Sequence, residues 1–309
     1  MEDNNKNQKQ LDVFSLQIVA YYLKYDEDFE NIIQVSSKCE FLLDRFRINP
    51  IQLTKENKRL FKFIQTQQIF YKNDEDEFIV PDLIYQYNYP VKYKRYLEEK
   101  QKFNKCKWIK YSKKDREEFG DTIPDVVNII GKECFRECKM KSFVVPSTIH
   151  KIEYSAFAEC KQLTEIIIPD TVYEIQGSCF EKCIGLTSIK LPESLKEWEY
   201  DLFNGCRFES FVIPSTVTEI RNNLFESCKH LTKVVVENVE YIPSHCFRNC
   251  IRLQEVVLCD KITSLGWDCF QNCVNLSSIH LPSELKEIDS EAFKDCTNLQ
   301  RLIIENDKC

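Results

Sequence analysis

The pair Phe-x-x-Cys occurs eight times in the second part of this 309-residue chain: Phe135/Cys138, Phe157/Cys160, Phe180/Cys183, Phe203/Cys206, Phe225/Cys228, Phe247/Cys250, Phe270/Cys273 and Phe293/Cys296. Successive copies are 22 or 23 residues apart. Aligning the pairs brings further apolar columns into register. One holds Met140, Leu163, Leu186, Phe208, Leu231, Leu253, Leu276 and Leu299; an alternating triplet such as Ile166-Ile167-Ile168 or Val234-Val235-Val236 follows, then two more columns represented by Val172 and Ile175. A unit this short has too little interior to bury so many apolar side chains. It buries them only by stacking on its neighbours, which is the logic of a solenoid.

Each unit reads as one coil with a single short parallel strand at the triplet. Side chains alternate along a strand, so Ile166 and Ile168 are expected inward and Glu165 and Ile167 outward. Pro146, Pro169, Pro192, Pro214 and Pro282 close most of these strands by removing a ladder donor. Strands ~4.8 Å apart give eight coils a length on the order of 40 Å, an extended surface in place of a pocket. Before each Phe the units carry Cys134, Ala156, Cys179, Leu202, Leu224, Cys246, Cys269 and Ala292, so Cys there is expected to pack as a small hydrophobe. The Cys of Phe-x-x-Cys is expected to be a buried free thiol that bonds a turn carbonyl. Pairs such as Cys134/Cys138 and Cys269/Cys273 have three intervening residues and no His supplying a second pair, so neither a metal nor a cofactor is expected.

The unit Ala156-Phe157-x-x-Cys160-x-x-Leu163-x-x-Ile166-x-Ile168-Pro169-x-x-Val172-x-x-Ile175 resembles the BspA-type leucine-rich repeat, and the resemblance covers residues 123–309. Glu237 and Cys259 stand where other units have Pro, and the coils of Phe135 and Phe203 are one residue shorter between Cys and strand. The resemblance implies protein binding without catalysis, often discussed as adhesion or host-surface contact. The expected fold class is α/β: a right-handed leucine-rich-repeat solenoid of about eight 22- to 23-residue coils with a parallel β-sheet, preceded by a mostly helical N-terminal cap domain. Residues 1–104 are the expected helical domain and residues 105–309 the solenoid.

The front part carries no repeat. Leu11, Phe14, Ile18 and Tyr22 mark one helical face with Asp12 as its cap. Ser37-x-x-Glu40 is a capping box ahead of Phe41, Leu42 and Phe46, and Thr54 opens a third helix through Leu60, Phe61 and Ile64. Gln67 to Tyr71 reads as a strand and Asp74 to Glu77 as an exposed acidic loop. Ile123 to Ile130 matches Ile168 to Ile175, so the solenoid starts before Phe135, with Lys105 to Tyr111 as its first strand and Lys113 to Phe119 as an inserted helix. Asn49-Pro50-Ile51-x-Leu53-Thr54 and Ser112 to Pro124 are similar to the amino-terminal module that accompanies these repeats in protist members. Leu11, Ile18, Tyr22-Leu23, Asp28, Ile32-Ile33, Val35-Ser36 and Phe41 are more loosely similar to an F-box. That second resemblance implies a ubiquitin-ligase substrate adaptor that docks a Skp-like subunit through residues 1–60; a plain cap or helical domain is the favoured reading.

Composition narrows the function. The six glycines never take the spacing of a phosphate-binding loop, which removes most nucleotide-binding enzymes. No Gly-x-Ser-x-Gly elbow occurs, and His150, His230, His245 and His280 lie in different coils, so no catalytic residue is expected. The net charge of −7 divides into 22 basic against 20 acidic residues through residue 120 and 20 against 29 beyond it, which argues against a general nucleic-acid coat. Residues 92–116 are the exception, with 11 Lys and Arg against Glu98, Glu99 and Asp115, and Tyr93, Tyr96, Phe103, Trp108 and Tyr111 interleaved. A nucleic-acid or anionic-lipid patch is the lesser reading there; a solvated face with its aromatics in the core is the favoured one. No apolar run reaches the ~18 residues of a membrane span, and no signal segment follows Met1 to Gln10. The expected location is cytoplasmic, with the cell surface by a non-classical route as the alternative.

The surface expected to bind is the outward strand column Val144, Ile167, Lys190, Val212, Val235, Val257, His280 and Ile303. Ser142, Glu165, Ser188, Ser210, Lys233, Glu255, Ser278 and Arg301 flank it. Six of the eight central residues are apolar and β-branched. An exposed apolar stripe marks an interaction site, although such residues also support a strand ladder unaided. The strand ending at Ile304, blunted only by Glu305, Asp307 and Lys308, adds an end-to-end homodimer to the expected partners.

Overall fold

The computed structural model describes residues 13–35, 39, 41–72 and 83–304 and divides the chain into two compact units, residues 1–109 and 110–309. The helix start at Leu11 and Asp12, the Ser37-x-x-Glu40 box, the Asp74 to Glu77 loop and Glu305, Asp307 and Lys308 lie outside the described residues.

In the first unit, α1 (Val13–Ala20) and α2 (Asp26–Val35) pack over a core that includes Ala20, Phe29, Leu42, Phe46, Leu53 and Phe61. Phe29, Phe46 and Phe61 meet edge to face at 5.3–6.3 Å, the geometry their ring quadrupoles favour. The face expected from Ile18 and Tyr22 is corrected here. Both are exposed while Ala20 is buried: the helix turns Leu16 and Ala20, one turn apart, to the core in place of Ile18, and it ends at Ala20, so Tyr22 falls in a turn outside the 3.6-residue period. Thr54 does not open an α-helix. Its backbone N–H donates to Asn57 Oδ1 (2.8 Å) and Asn57 N–H donates back to Thr54 Oγ1 (3.1 Å). The Asn57 amide also donates to Asp26 Oδ1 and Gln52 O, both 2.9 Å, so the segment closes as one 3-10 turn, Asn57–Leu60.

β1 (Thr66–Ile69) pairs in parallel with β2 (Ile84–Lys92), followed by α3 (Tyr93–Gln101) and β3 (Lys105–Tyr111). The strand expected from Gln67 to Tyr71 is thus shifted toward Thr66. Buried Asn49 fixes it there by accepting from Gln68 N–H (2.5 Å) and donating to Gln68 O (3.0 Å). In α3, buried Glu99 accepts from the Tyr87 hydroxyl (3.0 Å) and the Asn104 amide (2.6 Å), with Arg95 and Lys102 each 3.7 Å away.

In the second unit α4 (Lys113–Phe119) is inserted ahead of the coils. Ser112 and Asp115 cap it reciprocally and Gly120, at φ 98°, ends it. Lys110 and Tyr111 pair with Ile129 and Ile130, so the stack does begin before Phe135. Each coil then contributes two parallel strands, not one. The front row is Ser142–Val144, Glu165–Ile167, Ser188–Lys190, Ser210–Ile213, Lys233–Val236, Glu255–Val257, Ser278–Leu281 and Arg301–Ile304. The rear row is Ile129–Ile130, Lys151–Ile152, Glu174–Ile175, Glu197–Trp198, Glu219–Ile220, Tyr241–Ile242, Ser264–Leu265 and Glu287–Ile288. A rear strand is two residues long, too short for alternation to mark it in a sequence.

The two rows enclose the apolar columns. Ile166, Ile168, Val172 and Leu163 are fully buried, and Ile152, Ile175 and Trp198 line the rear wall. The eight Phe rings stack in one file with centroids 5.3–5.9 Å apart and planes within 24° of parallel. The turn that carries them is neither helix nor strand. Residues two before and two after each Phe sit in the left-handed region, at φ 53–64° for every side-chain-bearing residue and 73° at Gly205. Alternate N–H groups therefore point at the next coil: Ser178, Phe180 and Lys182 donate to Tyr200, Leu202 and Asn204 carbonyls at 2.9, 3.1 and 2.6 Å. This third ladder holds the stack along the edge between the two strand rows.

Candidate functional site

The front row presents the outward column in register. Val144 lies beside Ile167 and Ile167 beside Lys190; Val212, Val235 and Val257 are consecutive neighbours; His280 lies beside Ile303. Val144 is 65% exposed, Val212 50% and Val257 42%, while Ile167 and Ile303 reach 36% and Val235 is half-buried. The inward neighbours of Ile167, Val235 and Val257, which are Ile166, Val234 and Val256, are buried, whereas Leu302 and Ile304 on the last strand are exposed like Ile303 between them. The column is therefore a surface feature whose burial the core does not require. Lys190 and His280 are exposed within it.

The flanking column mixes charge with hydroxyls. Ser142, Glu165 and Ser188 are consecutive neighbours, as are Ser210, Lys233 and Glu255, and Ser278 lies beside Arg301. Lys233 Nζ and Glu255 Oε1 pair at 2.6 Å on the surface, a contact worth under about 1 kcal/mol that orders two side chains of the rim. The front row is not one continuous ladder: the strands pair in three sets, 142–190, 210–257 and 278–304. Between the first two sets, a cleft of about 250 Å³ opens among Thr187, Ser188, Ile189, Ser210, Phe211 and Val212. This first break falls at the coil of Phe203, which is one residue short between Cys and strand.

The cysteines are structural in placement. From Cys160 to Cys296, seven thiols each donate to the carbonyl of the Phe one coil back, at 3.0–3.2 Å. Cys138 instead takes a hydrogen bond from Arg116 Nη1 at 2.9 Å. Burial pushes the Cys138 thiol up to about 11 and Cys228 up to about 12, and raises Cys206, Cys246 and Cys250 as well. Cys228, two residues from His230, is thus a buried thiol bonded to Phe203 O and is not aimed as a nucleophile. Among the described residues no cysteine is in a disulfide and no group of His, Cys, Asp and Glu is arranged to hold a metal ion. His245 is tied into its turn, with Nδ1 3.1 Å from Asn223 Oδ1 and its ring against Trp267.

Part of the basic stretch 92–116 is matched in place. Arg95 lies over the Tyr87 ring at 5.0 Å and near Glu99, Lys110 meets Glu153 at 2.5 Å, and Arg116 meets Asp121 at 3.1 Å. The expectation that its aromatics pack inside needs one correction. Tyr111 is fully buried, but Phe103 is 82% exposed, because at φ 62° it forms the turn between α3 and β3. No helix among the described residues is long and apolar enough to cross a membrane.

Two features were not anticipated from the sequence. The rear row is an acidic face, with Glu174, Glu197, Glu219 and Glu287 at equivalent positions and partly matched by pairs such as Lys151–Glu174 at 2.7 Å. The other is a cluster of basic residues on the turn edge at Arg207.

Comparison with known proteins places this geometry. The profile of the BspA type leucine-rich repeat region matches residues 121–232 and 218–308, in six copies. A leucine-rich repeat protein from Bacteroides ovatus is 19% identical, with a TM-score of 0.48 over 79% of this chain and 75% of its own. A leucine-rich repeat protein of T. pallidum is 30% identical, with a TM-score of 0.45 over 50% of this chain and 73% of its own. A leucine-rich cell surface protein from Faecalibacterium prausnitzii is 18% identical, with a TM-score of 0.36 over 71% of this chain and 83% of its own. No curated protein matches the sequence.

Proposed function

This chain belongs to the BspA-type leucine-rich repeat family, and from that premise we propose that it is a non-enzymatic scaffold that holds a protein partner along its front strand row. The exposed column of Val144, Ile167, Val212 and Val257 carries the reading, because its side chains stand clear of a core that inward neighbours such as Val145, Ile166, Ile213 and Val256 already fill. Glu165, Ser188, Lys233, Glu255 and Arg301 form a polar rim beside that stripe, with Lys190 and His280 inside it, a composition like that of other protein interfaces.

Replacing Val144, Val212 and Val257 together by Ser tests the reading. Affinity purification from native extract should lose its specific partner, while stability changes by less than about 1 kcal/mol per site. An unchanged set of recovered proteins overturns it. The F-box-like reading of residues 1–60 is distinguished by recovery of Skp-like and cullin-like subunits with the full chain, and surface display by antibody staining of unpermeabilised cells.

A further inference from the structure

The coil of Phe203 breaks the solenoid's regularity on the turn edge. From Phe157 onward, every other coil has two residues between the Cys of Phe-x-x-Cys and the next apolar column; here Arg207 alone separates Cys206 from Phe208. The missing residue leaves a gap between the turns of the coils on either side, and a cavity of about 310 Å³ occupies it. Lys182 from one neighbouring coil, Arg207 from the short coil, and Lys229 and His230 from the other neighbour surround the space, with the Asn204 amide and the Ser227 hydroxyl. Two positions after Phe, where the neighbours carry Lys182 and Ser227, the short coil carries Gly205 at φ 73°, so no side chain fills the floor. The Cys206 thiol is turned away, bonded to Phe180 O at 3.2 Å.

No carboxylate lines this notch. Glu181 holds Lys182 at 2.7 Å, and Arg207, Lys229 and His230 make no ion pair among the described residues. Residues 121–309 carry 20 basic against 29 acidic side chains, so this concentration of positive charge runs against the surface around it. Cationic groups gathered in a concavity repel one another unless an anion joins them, and the concave wall concentrates their field. Several positive groups match a dianion better than a single carboxylate. Arg supplies a planar fork for a tetrahedral oxyanion and Lys a mobile point charge.

We propose that the notch binds a phosphoryl group, held by Arg207 and Lys229 and hydrogen-bonded by His230 and Ser227. Two sources share that chemistry, free phosphate and a phosphorylated side chain on a protein. A water takes ~30 Å³ of liquid, so the notch has room for the carrying side chain as well as the phosphoryl group.

Calorimetric titration of the full chain at low ionic strength, with inorganic phosphate, N-acetylphosphoserine amide and N-acetylserine amide, tests the proposal. Saturable binding of the first two and none of the third is expected. Arg207→Ala and Lys229→Ala should each weaken binding roughly tenfold, the loss of one charge-assisted bond, while Arg252→Ala in the next coil changes nothing. Insertion of one Gly between Arg207 and Phe208 restores the ordinary spacing and should abolish binding; circular dichroism checks that this variant remains folded, and Arg207→Ala decides the matter if it does not. Tighter binding of phosphoserine identifies a protein-borne group, and tighter binding of phosphate the free ion. Absence of saturable binding, or equal weakening by Arg252→Ala, overturns the proposal.

Discussion

Truncating one ring in the middle of the Phe file gives a sharp test of the stack. Phe225 is fully buried, stacked on Phe203 at 5.4 Å and Phe247 at 5.7 Å, and tilted against Phe211 at 4.9 Å. Phe225→Ala removes a ring's worth of apolar burial and leaves a void walled by three other rings, for a loss of about 3–5 kcal/mol. In a unit of this size that lowers the melting temperature by about 6–20 °C, at ~2–4 °C per kcal/mol. The same change at Phe293 should cost about half as much. Phe293 is only half-buried and stacks on Phe270 alone, at 5.4 Å. Urea unfolding followed by circular dichroism reads both values. The Phe225 variant should also split the transition, because coils couple only to their neighbours and a weak layer lets the two ends melt separately. A loss under about 1 kcal/mol at Phe225, or equal losses at both positions, would refute the idea that stacked rings seal each coil to the next.

Alkaline pH should destabilise the solenoid. Burial raises the folded-state pKa of Cys228 from 9.0 to about 12, so its contribution is complete below pH 9 and is lost as pH climbs toward 12, at about 1.4 kcal/mol per pH unit for each such thiol; urea midpoints that stay flat above pH 9 would count against it. Reaction of the native chain with a thiol reagent at neutral pH should reach few cysteines, and denaturation without reductant should release all sixteen; a denatured count well below sixteen would indicate disulfides. Glu99→Ala should destabilise the first unit by about 3 kcal/mol, since it strips Tyr87 and Asn104 of their acceptor and Arg95 of its partner. The Glu99 pKa lies below its usual 4.5 because hydrogen bonds from Asn104 and Tyr87 and the charges of Lys102 and Arg95 outweigh burial; that contribution is present above 4.5 and lost as pH falls, and an acid transition unchanged in the variant would remove it.

The solenoid was legible because its information is repeated eight times. Inward Ile166 and Ile168, outward Ile167 and the packed column of Cys134, Ala156 and Leu202 all follow from columns that no single coil would have made convincing. The strand at Lys105–Tyr111 and the helix at Lys113–Phe119 could be placed because the match of Ile123–Ile130 to Ile168–Ile175 sets the start of the stack ahead of Phe135. The rear strands escaped notice because two residues carry no alternation. The left-handed turn positions escaped because Glu133, Ser155, Lys182 and His245 share conformation but not chemistry. In the first unit one side chain decides what a pattern cannot: Asn57, bonded to Asp26, Gln52 and Thr54, stops the helix that Leu60, Phe61 and Ile64 suggest. The short coil at Arg207 was visible as a missing residue. Its cavity was not, since that depends on which turns stand on either side.

A thiol suits the repeating position because one oxygen does two things there. The Phe157 carbonyl accepts the Cys160 N–H of its own coil at 3.3 Å and the Cys183 thiol of the next coil at 3.1 Å. The same arrangement recurs at Phe180 with Cys183 and Cys206, and at Phe203 with Cys206 and Cys228. Closing one coil's turn therefore sets the acceptor that locks the next coil onto it. A thiol is apolar enough to lie fully buried and still a weak donor, so it fills the layer and engages the carbonyl's second lone pair. Ala would leave that lone pair unmet, and Ser would bring a shorter, more strongly hydrated hydroxyl into the same dry layer at greater desolvation cost. A file of rings braced by such oxygens therefore holds the coils in register through contacts that involve none of the outward side chains of the front row.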